Sequence, residues 1–220
     1  MNTIDFEQWL DELSQGTGLF MTGTDTGVGK TWVGTQLLQR LRLRGRQLKP
    51  RKPVESGWLP EQITETDSWK LALCATNFQR LNLICANPLT QPLSPPRAAA
   101  LESKSLSIQA LVQACRQQTQ ASDFLYVEGA GGFYSPLAHD GLNADLAEQL
   151  GLPVLIVSLD RVGALNHILL CYQALIARRL NLAGIILNAQ QPATPHMDNV
   201  ADLRALLPSH VPIWRWQDHG

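Results

Sequence analysis

The sequence predicts an α/β fold, with a doubly wound, mainly parallel sheet and helices on both faces. Short segments that are apolar throughout predict strands buried on both faces, at 19–22, 124–127, 153–159, 183–188 and 211–214. Helical patterns lie between them, at 30–44, 106–119, 143–150, 164–179 and 198–207. Strands that alternate with helices favour a parallel sheet with right-handed crossovers. Ligands of such sheets bind at the carboxyl ends of the strands.

The first sixteen residues form a separate pattern. Phe6, Trp9, Leu10 and Leu13 recur at helical spacing, and two glycines, Gly16 and Gly18, follow. This spacing predicts a short amphipathic helix. We expect it to dock on the rest of the chain, although a helix that binds a partner is the alternative. The expected organisation is an N-terminal helical extension, 1–16, and one α/β domain, 17–220.

Composition narrows the function classes. Lys and Arg number 18 against 19 Asp and Glu, a net charge of −1, so we expect no nucleic-acid partner and no membrane-surface partner. The basic residues between Arg40 and Lys52 are interpreted as a helix end followed by a solvated strand edge. The four cysteines form no C-x-x-C pair. With no signal-like N-terminus, this pattern predicts a cytoplasmic protein with reduced thiols.

The clearest motif is Gly23-Thr-Asp-Thr-Gly-Val-Gly-Lys-Thr31, placed between a strand and a helix. Glycines let backbone N–H groups surround phosphate oxygens, and the helix N-terminus adds partial positive charge. In this arrangement Lys30 reaches the β- and γ-phosphates and the Thr31 hydroxyl binds Mg²⁺. Five residues separate Gly23 from Gly29, one more than in the usual loop. The motif predicts a P-loop NTPase-like fold.

Each of three further segments is expected to place a charged side chain near the phosphate loop, at the carboxyl ends of the strands. Glu128-Gly-Ala-Gly-Gly132 follows a strand and places a carboxylate where Mg²⁺ would bind, although a plain turn is the alternative. Lys52-Pro-Val-Glu-Ser-Gly57 offers a second lysine, or only a surface lysine on an edge strand. Asp67 could complete a metal set with Thr31 and Glu128, or it could be a helix N-cap.

Together with Pro92-x-Ser-Pro and Gly163-x-x-Asn-His, these motifs resemble the dethiobiotin synthetase family. They occur in the family's order and cover most of residues 19–190. The resemblance implies an ATP- and Mg²⁺-dependent ligase of biotin biosynthesis. Such an enzyme carboxylates 7,8-diaminononanoate with CO₂ and closes the ring to dethiobiotin, releasing ADP and phosphate. It also implies a homodimer with the substrate at the subunit interface.

The resemblance implies these residue roles. The catalytic lysines are Lys30 and Lys52, and the Mg²⁺ ligands are Thr31, Asp67 and Glu128. The nucleotide contacts are Thr26, Gly27, Val28, Gly29, Lys30, Thr31, Trp32, Asp67, Glu128, Gly129, Ala130, Gly131 and Asn188. The substrate contacts are Ser56 in one subunit and Gly163, Ala164, Leu165 and Asn166 at a helix N-terminus of the other.

The sequence departs from the family pattern at Gly27, where a Glu is frequent, and at Pro96, where a His is common. Three alternatives remain open. One is a partition- or positioning-type switch ATPase, whose loop normally carries an extra lysine where this chain has Thr24-Asp25. Another is a cobalamin-pathway amidase, usually joined to a glutaminase domain that 220 residues leave no room for. A third is a degenerate dimer without catalysis.

Overall fold

The computed structural model describes residues 5–77, 79–190 and 194–217. The strands are β1 (Gly18–Gly23), β2 (Leu48–Arg51), β3 (Val54–Ser56), β4 (Asn87–Leu89), β5 (Phe124–Gly132), β6 (Pro136–Ala138), β7 (Gly141–Leu142), β8 (Val154–Leu159), β9 (Leu182–Ala189) and β10 (Ile213–Gln217). The α-helices are α1 (Phe6–Ser14), α2 (Lys30–Leu43), α3 (Asp67–Ala72), α4 (Leu81–Ile84), α5 (Pro95–Leu101), α6 (Ile108–Arg116), α7 (Asn143–Leu150), α8 (Ala164–Ala177) and α9 (Asn199–Leu206). A 3₁₀-helix spans Pro60–Glu65.

Six strands form one sheet in the order β10-β9-β8-β1-β5-β2, and every neighbouring pair is parallel. The first strand of this sheet, β1, lies in its middle. The next two strands, β2 and β5, lie on one side of β1, and β8, β9 and β10 lie on the other. The switch of direction lies at β1, which is where open α/β sheets bind ligands. The predicted doubly wound α/β fold is confirmed.

Alternation along the strands separates two hydrophobic layers. In β5, Phe124 and Tyr126 pack with α1, α2, α3 and α4, whereas Leu125 and Val127 pack with α6, α7, α8 and α9 on the opposite face. The carboxylate of Glu128 follows Tyr126 by two residues and therefore lies on the α2 face. The alternation along β5 therefore places the Glu128 carboxylate on the same side of the sheet as α2.

The predicted N-terminal helix is present as α1 and docks on the sheet. Trp9 is 4% exposed and its Nε1 donates to the Ala183 carbonyl at 2.8 Å. Phe6 meets the rings of Trp214 and Trp216 edge-on. Arg44 at the end of α2 pairs with two carboxylates of α1. Docking of the helix is confirmed, while the division into an extension and a domain remains a prediction.

The segment from β2 to α5 holds more structure than its sequence pattern suggests. Strands β3 and β4 pair in parallel as a separate two-stranded sheet. The interpretation of a solvated strand edge is wrong for Arg51 and Lys52, which are 1% and 4% exposed. The two terminal nitrogens of the Arg51 guanidinium donate to the carbonyls of Pro50 and Gln117 and to the Gln79 side chain, and these bonds replace their contacts with water. Among the described helices, none is long and apolar enough to cross a membrane.

Candidate active site

A cleft of about 1170 Å³ opens at the carboxyl ends of β1, β5 and β2. Its lining includes the phosphate loop, the Lys52–Gly57 segment, the start of α3, the loop at Pro92–Pro95 and the glycine-rich end of β5. The cleft therefore brings together five separate segments of the sequence. It is large enough for a ligand of nucleotide size, since small-molecule sites span about 300–1000 Å³.

The phosphate loop joins β1 to α2 with two residues in the left-handed region, Gly27 at φ 74° and Gly29 at φ 88°. A Cβ on Gly29 would lie 2.0 Å from the Asn188 amide nitrogen, so only glycine fits there. Asn188 is 2% exposed, and its Nδ2 donates to the Val28 carbonyl at 3.0 Å. The side chain of Asn188 therefore fixes the phosphate loop through the Val28 carbonyl. At Gly27, by contrast, a Cβ would meet open space.

Lys30 is the first residue of α2 and is 7% exposed. Its Nζ donates to the Asp25 carbonyl at 3.1 Å, across the mouth of the loop. Burial, together with the charge of Lys52, lowers the pKa of Lys30 to about 8. An ammonium that is poorly solvated and close to a second cation is well placed to receive an anion.

A buried cluster of charge lies next to the loop. The Lys52 ammonium sits 2.6 Å from Glu128 Oε1 and 2.9 Å from Asp67 Oδ2. The Thr31 hydroxyl donates to the same Glu128 oxygen at 2.7 Å. Burial alone would lower the pKa of Lys52, but the charges of Glu128 and Asp67 outweigh it and hold that pKa above its ordinary value. Burial acts against ionisation of Asp67 too, yet the Lys52 charge holds the pKa of Asp67 below its ordinary value.

The geometry answers two questions that the sequence left open. Lys52 is not a surface lysine on an edge strand, because it is almost fully buried between two carboxylates. Asp67 is not the helix N-cap, because the Thr66 hydroxyl caps α3 by accepting from the Trp69 N–H. Asp67 is instead the first residue of that helix, and its carboxylate turns toward Lys52.

The donor set fits a magnesium ion. Thr31, Asp67 and Glu128 supply one hydroxyl and two carboxylates around a single positive charge, that of Lys52. Mg²⁺ prefers one or two carboxylates and completes its shell with phosphate oxygens and water. No group of three His, Cys, Asp or Glu side chains gathers as metal ligands within the described part of the chain. A magnesium site here would therefore need the Thr31 hydroxyl and substrate oxygens in addition to the two carboxylates.

The glycine-rich segment bulges out of the sheet. Between Met21 and Gly23 β1 advances two residues, whereas β5 advances four, from Glu128 to Gly132. The fully buried Asn143 holds this bulge, with Nδ2 donating to the carbonyls of Ala130 and Gly132 and Oδ1 accepting from the Ala130 N–H. A Cβ on Gly129 would lie 2.5 Å from Asn143 Oδ1, so the segment needs glycine there.

Ser56 and the proline-rich loop form the opposite wall. Ser56 Oγ is buried and has no hydrogen-bond partner in residues 5–77, 79–190 and 194–217. The residue lines the cleft next to Gly57 and faces the loop of Pro92–Pro95. An unpartnered hydroxyl at the wall of a cleft is a candidate for contact with a bound molecule.

The Gly163–Asn166 segment lies elsewhere. It begins α8 after β8, and Gly163 at φ 87° is the residue that precedes the helix. Asn166 and His167 are exposed, Leu165 is half-buried and Ala164 is buried. These residues do not line the cleft of their own chain. Most of the other predicted site residues line the cleft, whereas Val28, Gly129 and Asn188 are buried and are not among its lining residues.

Three buried residues in the site were missed from the sequence. The Glu55 carboxylate accepts from the backbone N–H groups of Asp67 and Ser68 at 2.7 and 2.9 Å and so fixes the start of α3. In the sequence, Asn143 has the pattern of an ordinary first residue of a helix. Tyr126 has the pattern of an apolar strand residue, but its hydroxyl lies 3.1 Å from Glu128 Oε2. Burial and the charge of Glu128 raise the pKa of Tyr126 well above its ordinary value, so the hydroxyl keeps its proton.

Comparisons with known proteins cover most of the chain. A family model described as an AAA domain matches residues 17–213. The ATP-dependent dethiobiotin synthetase BioD of Anaeromyxobacter dehalogenans (strain 2CP-1 / ATCC BAA-258) is 41% identical over 175 residues, which are 80% of this chain and 78% of that protein. The protein of the same name from Yersinia pestis bv. Antiqua (strain Angola) is 39% identical over 176 residues, 79% and 73% of the two chains.

Among solved structures, the kinase domain of Escherichia coli tyrosine kinase ETK covers 84% of this chain and is itself covered to 72%. Its sequence identity is 18% and its TM-score is 0.47. The likeness to the curated relatives is far higher, and the family match contains the cleft-lining residues named above.

Proposed function

The chain belongs to the dethiobiotin synthetase family and is an ATP-dependent ligase of biotin biosynthesis, and from this premise we propose how its residues divide the reaction. The substrates are 7,8-diaminononanoate, CO₂ and ATP. The products are dethiobiotin, ADP and phosphate. The observation that carries the proposal is the Lys52 ammonium, buried between Asp67 and Glu128 beside the phosphate loop.

The reaction collects several anions in one place. One amine of the substrate adds to CO₂ and loses a proton, which gives a carbamate. The carbamate oxygen takes the γ-phosphoryl group of ATP, and the bond from that phosphorus to ADP breaks. The second amine then attacks the carbamate carbon, loses a proton, and expels phosphate as the cyclic urea closes. Each intermediate is anionic, so fixed positive charge near the reacting atoms lowers the barrier.

The two lysines would supply that charge. Lys30 stands at the loop mouth, where it would hold the β- and γ-phosphates. Lys52 lies deeper, beside Glu128, where it would stabilise the carbamate and the transferring phosphoryl group. Residues 26–29, together with Trp32 beyond the lysine, would hold the rest of the nucleotide. Asn188 supports that loop through the Val28 carbonyl.

Thr31, Asp67 and Glu128 would hold Mg²⁺, as their donor set fits. When bound, the ion would neutralise charge on the phosphate oxygens. The backbone of Gly129–Gly131, held by Asn143, would approach the phosphates closely. Ser56, with its unpartnered hydroxyl, would contact the diamine.

We further propose that the enzyme is a homodimer and that Gly163–Asn166 serves the partner subunit's cleft. Large apolar side chains stand exposed around α8, with Val162 at 70% and Leu170 at 62%. Exposed apolar patches mark interaction sites, and a second copy would cover this one. The Ala164 N–H donates to the Arg161 carbonyl, and the N–H groups of Leu165 and Asn166 in the first turn of α8 would then bind the far carboxylate of the substrate. The four free, buried cysteines fit a reducing compartment, and we propose the cytoplasm.

The test is phosphate release from Mg-ATP and bicarbonate, measured with and without 7,8-diaminononanoate, with mass spectrometry of the product. We expect release that depends on the diamine and yields a cyclic urea. The matched control is Lys30→Ala, which should release none. Slow release that ignores the diamine would contradict the proposal and point instead to a switch ATPase of the same fold.

A further inference from the structure

The interior of the sheet beneath the site contains a hydroxyl that an apolar strand does not require. Tyr126 stands in β5 between Leu125 and Val127 and is fully buried. Burying a hydroxyl costs free energy unless it finds a partner. Its two neighbours within 3.1 Å are Glu128 Oε2 and the sulfur of Met21. The carboxylate is much the stronger acceptor, because thioether sulfur accepts only weakly.

The helix above makes room for this hydroxyl. Gly34 lies in the second turn of α2, fully inside the helix. A Cβ built on Gly34 would lie 2.0 Å from the Tyr126 hydroxyl oxygen and 2.9 Å from the ring carbon that carries it. Glycine inside a helix costs about 0.5–1 kcal/mol relative to alanine. The glycine and the tyrosine therefore form a pair, in which the first gives space to the hydroxyl of the second.

The two carboxylate oxygens of Glu128 have different partners. Oε1 accepts from Lys52 at 2.6 Å and from Thr31 at 2.7 Å, on the side of the cleft. Oε2 accepts from Tyr126, on the side of the core. Since Glu128 is 0% exposed, no bulk water can replace the phenol. The hydrogen bond therefore fixes the rotation of the carboxylate and turns Oε1 toward the site.

We propose that Tyr126, accommodated by Gly34, is a positioning residue that orients Glu128 as a ligand for the divalent cation. Tyr126 acts through Glu128 and touches neither substrate nor metal. This inference rests on the proposed role of Glu128 as a metal ligand. Partners that orient metal ligands in this way typically change metal affinity about 10–100-fold when they are removed.

The direct test is binding of Mn²⁺, as a probe for Mg²⁺, to the enzyme–ADP complex, followed by electron paramagnetic resonance without turnover. We expect Tyr126→Phe, which deletes only the hydroxyl, to weaken Mn²⁺ binding about 10-fold. In activity assays the same variant should need more Mg²⁺, with kcat at saturating Mg²⁺ reduced by less than about 3-fold. The matched control is Tyr172→Phe, on the opposite face of the sheet, which should leave Mn²⁺ binding unchanged.

A second variant separates failure of this inference from failure of the metal assignment. Glu128→Gln should weaken Mn²⁺ binding more than Tyr126→Phe does. If Glu128→Gln leaves Mn²⁺ binding unchanged, Glu128 is not a ligand, and the proposed function loses that residue. If Glu128→Gln weakens binding and Tyr126→Phe does not, the positioning role alone is wrong.

The pairing of Gly34 with Tyr126 has its own test, a double-mutant cycle on the free energy of unfolding. Gly34→Ala in the wild type should be destabilising, because its methyl group meets the phenol oxygen. In the Tyr126→Phe background that penalty should shrink, since the closest atom is gone, and the two changes should be non-additive. Equal penalties in both backgrounds would show that Gly34 does not serve the hydroxyl.

Discussion

The carboxyl edge of the sheet has two halves with opposite character. At β1, β5 and β2, charged and polar side chains converge from distant segments, and Lys52 meets Glu128 and Asp67 within 2.9 Å. At the end of β8, the start of α8 carries exposed Asn166 and His167 beside exposed Val162 and Leu170. In the first half, the charged side chains pair with one another within one chain. The second half presents exposed apolar side chains at Val162 and Leu170.

One chain can supply two parts of a site that do not lie together in the same subunit. Groups that hold phosphate and metal must be fixed closely together, because electrostatic stabilisation depends on preorganised geometry. A group that only anchors the far end of a long substrate can come from another protomer. We therefore expect the two halves to respond differently to mutation.

The largest effect is expected at Lys30. Lys30→Ala removes the buried ammonium at the mouth of the phosphate loop, and we expect diamine-dependent turnover to fall about 1000-fold or more. Steady-state kinetics with circular dichroism as a check on folding would measure this. The control is Lys70→Ala, an exposed lysine that also lines the cleft, which should stay within about 2-fold of wild type.

The next effect tests the second half alone. Leu170→Asp places a charge on the exposed apolar face of α8 and should weaken self-association about 100-fold by sedimentation analysis. Affinity for ADP should change less than about 2-fold, because the phosphate-binding residues are remote from α8. Gln173→Asp, at a polar exposed position of the same helix, serves as the control. An unchanged oligomeric state for Leu170→Asp would mean that this face is not the interface.

A smaller effect is expected where a buried carboxylate supports the first half. Glu55→Ala leaves the N–H groups of Asp67 and Ser68 without their acceptor, and we expect a loss of about 1–3 kcal/mol in the free energy of unfolding by urea. Glu65→Ala, an exposed neighbour in the same wall, should change it by less than about 0.5 kcal/mol. Equal stability of the two variants would remove Glu55 from its supporting role.

The sequence predicts the outline of this molecule well for physical reasons. Apolar runs predict five of the six strands of the sheet, all but β2, and the phosphate loop is a local motif that depends on its own glycines. The segment from β2 to α5 was less predictable, because β3 and β4 pair with each other across the 30 residues that separate them. Local patterns carry little information about such long-range pairing.

The site was predictable where residues act through a motif and hidden where they act through a distant partner. Glu128 stands in a recognisable glycine-rich segment. Tyr126 follows the pattern of a core residue, and only its contacts with Gly34 and Glu128 in the fold indicate a positioning role. The sequence predicts Arg51 to be a surface cation. In the structure it is buried, and its guanidinium donates to carbonyl and amide oxygens from three segments. The roles of the predicted site residues remain predictions that the variants above address.

The contrast between the two halves is tested most directly by subunit complementation. Lys30→Ala chains and Asn166→Ala chains, each inactive or impaired alone, are mixed, and heterodimers are verified by two affinity tags before diamine-dependent phosphate release is measured. If the cleft of one protomer uses α8 of its partner, one intact site re-forms per heterodimer and activity returns. Verified heterodimers without recovered activity would contradict a site divided between subunits.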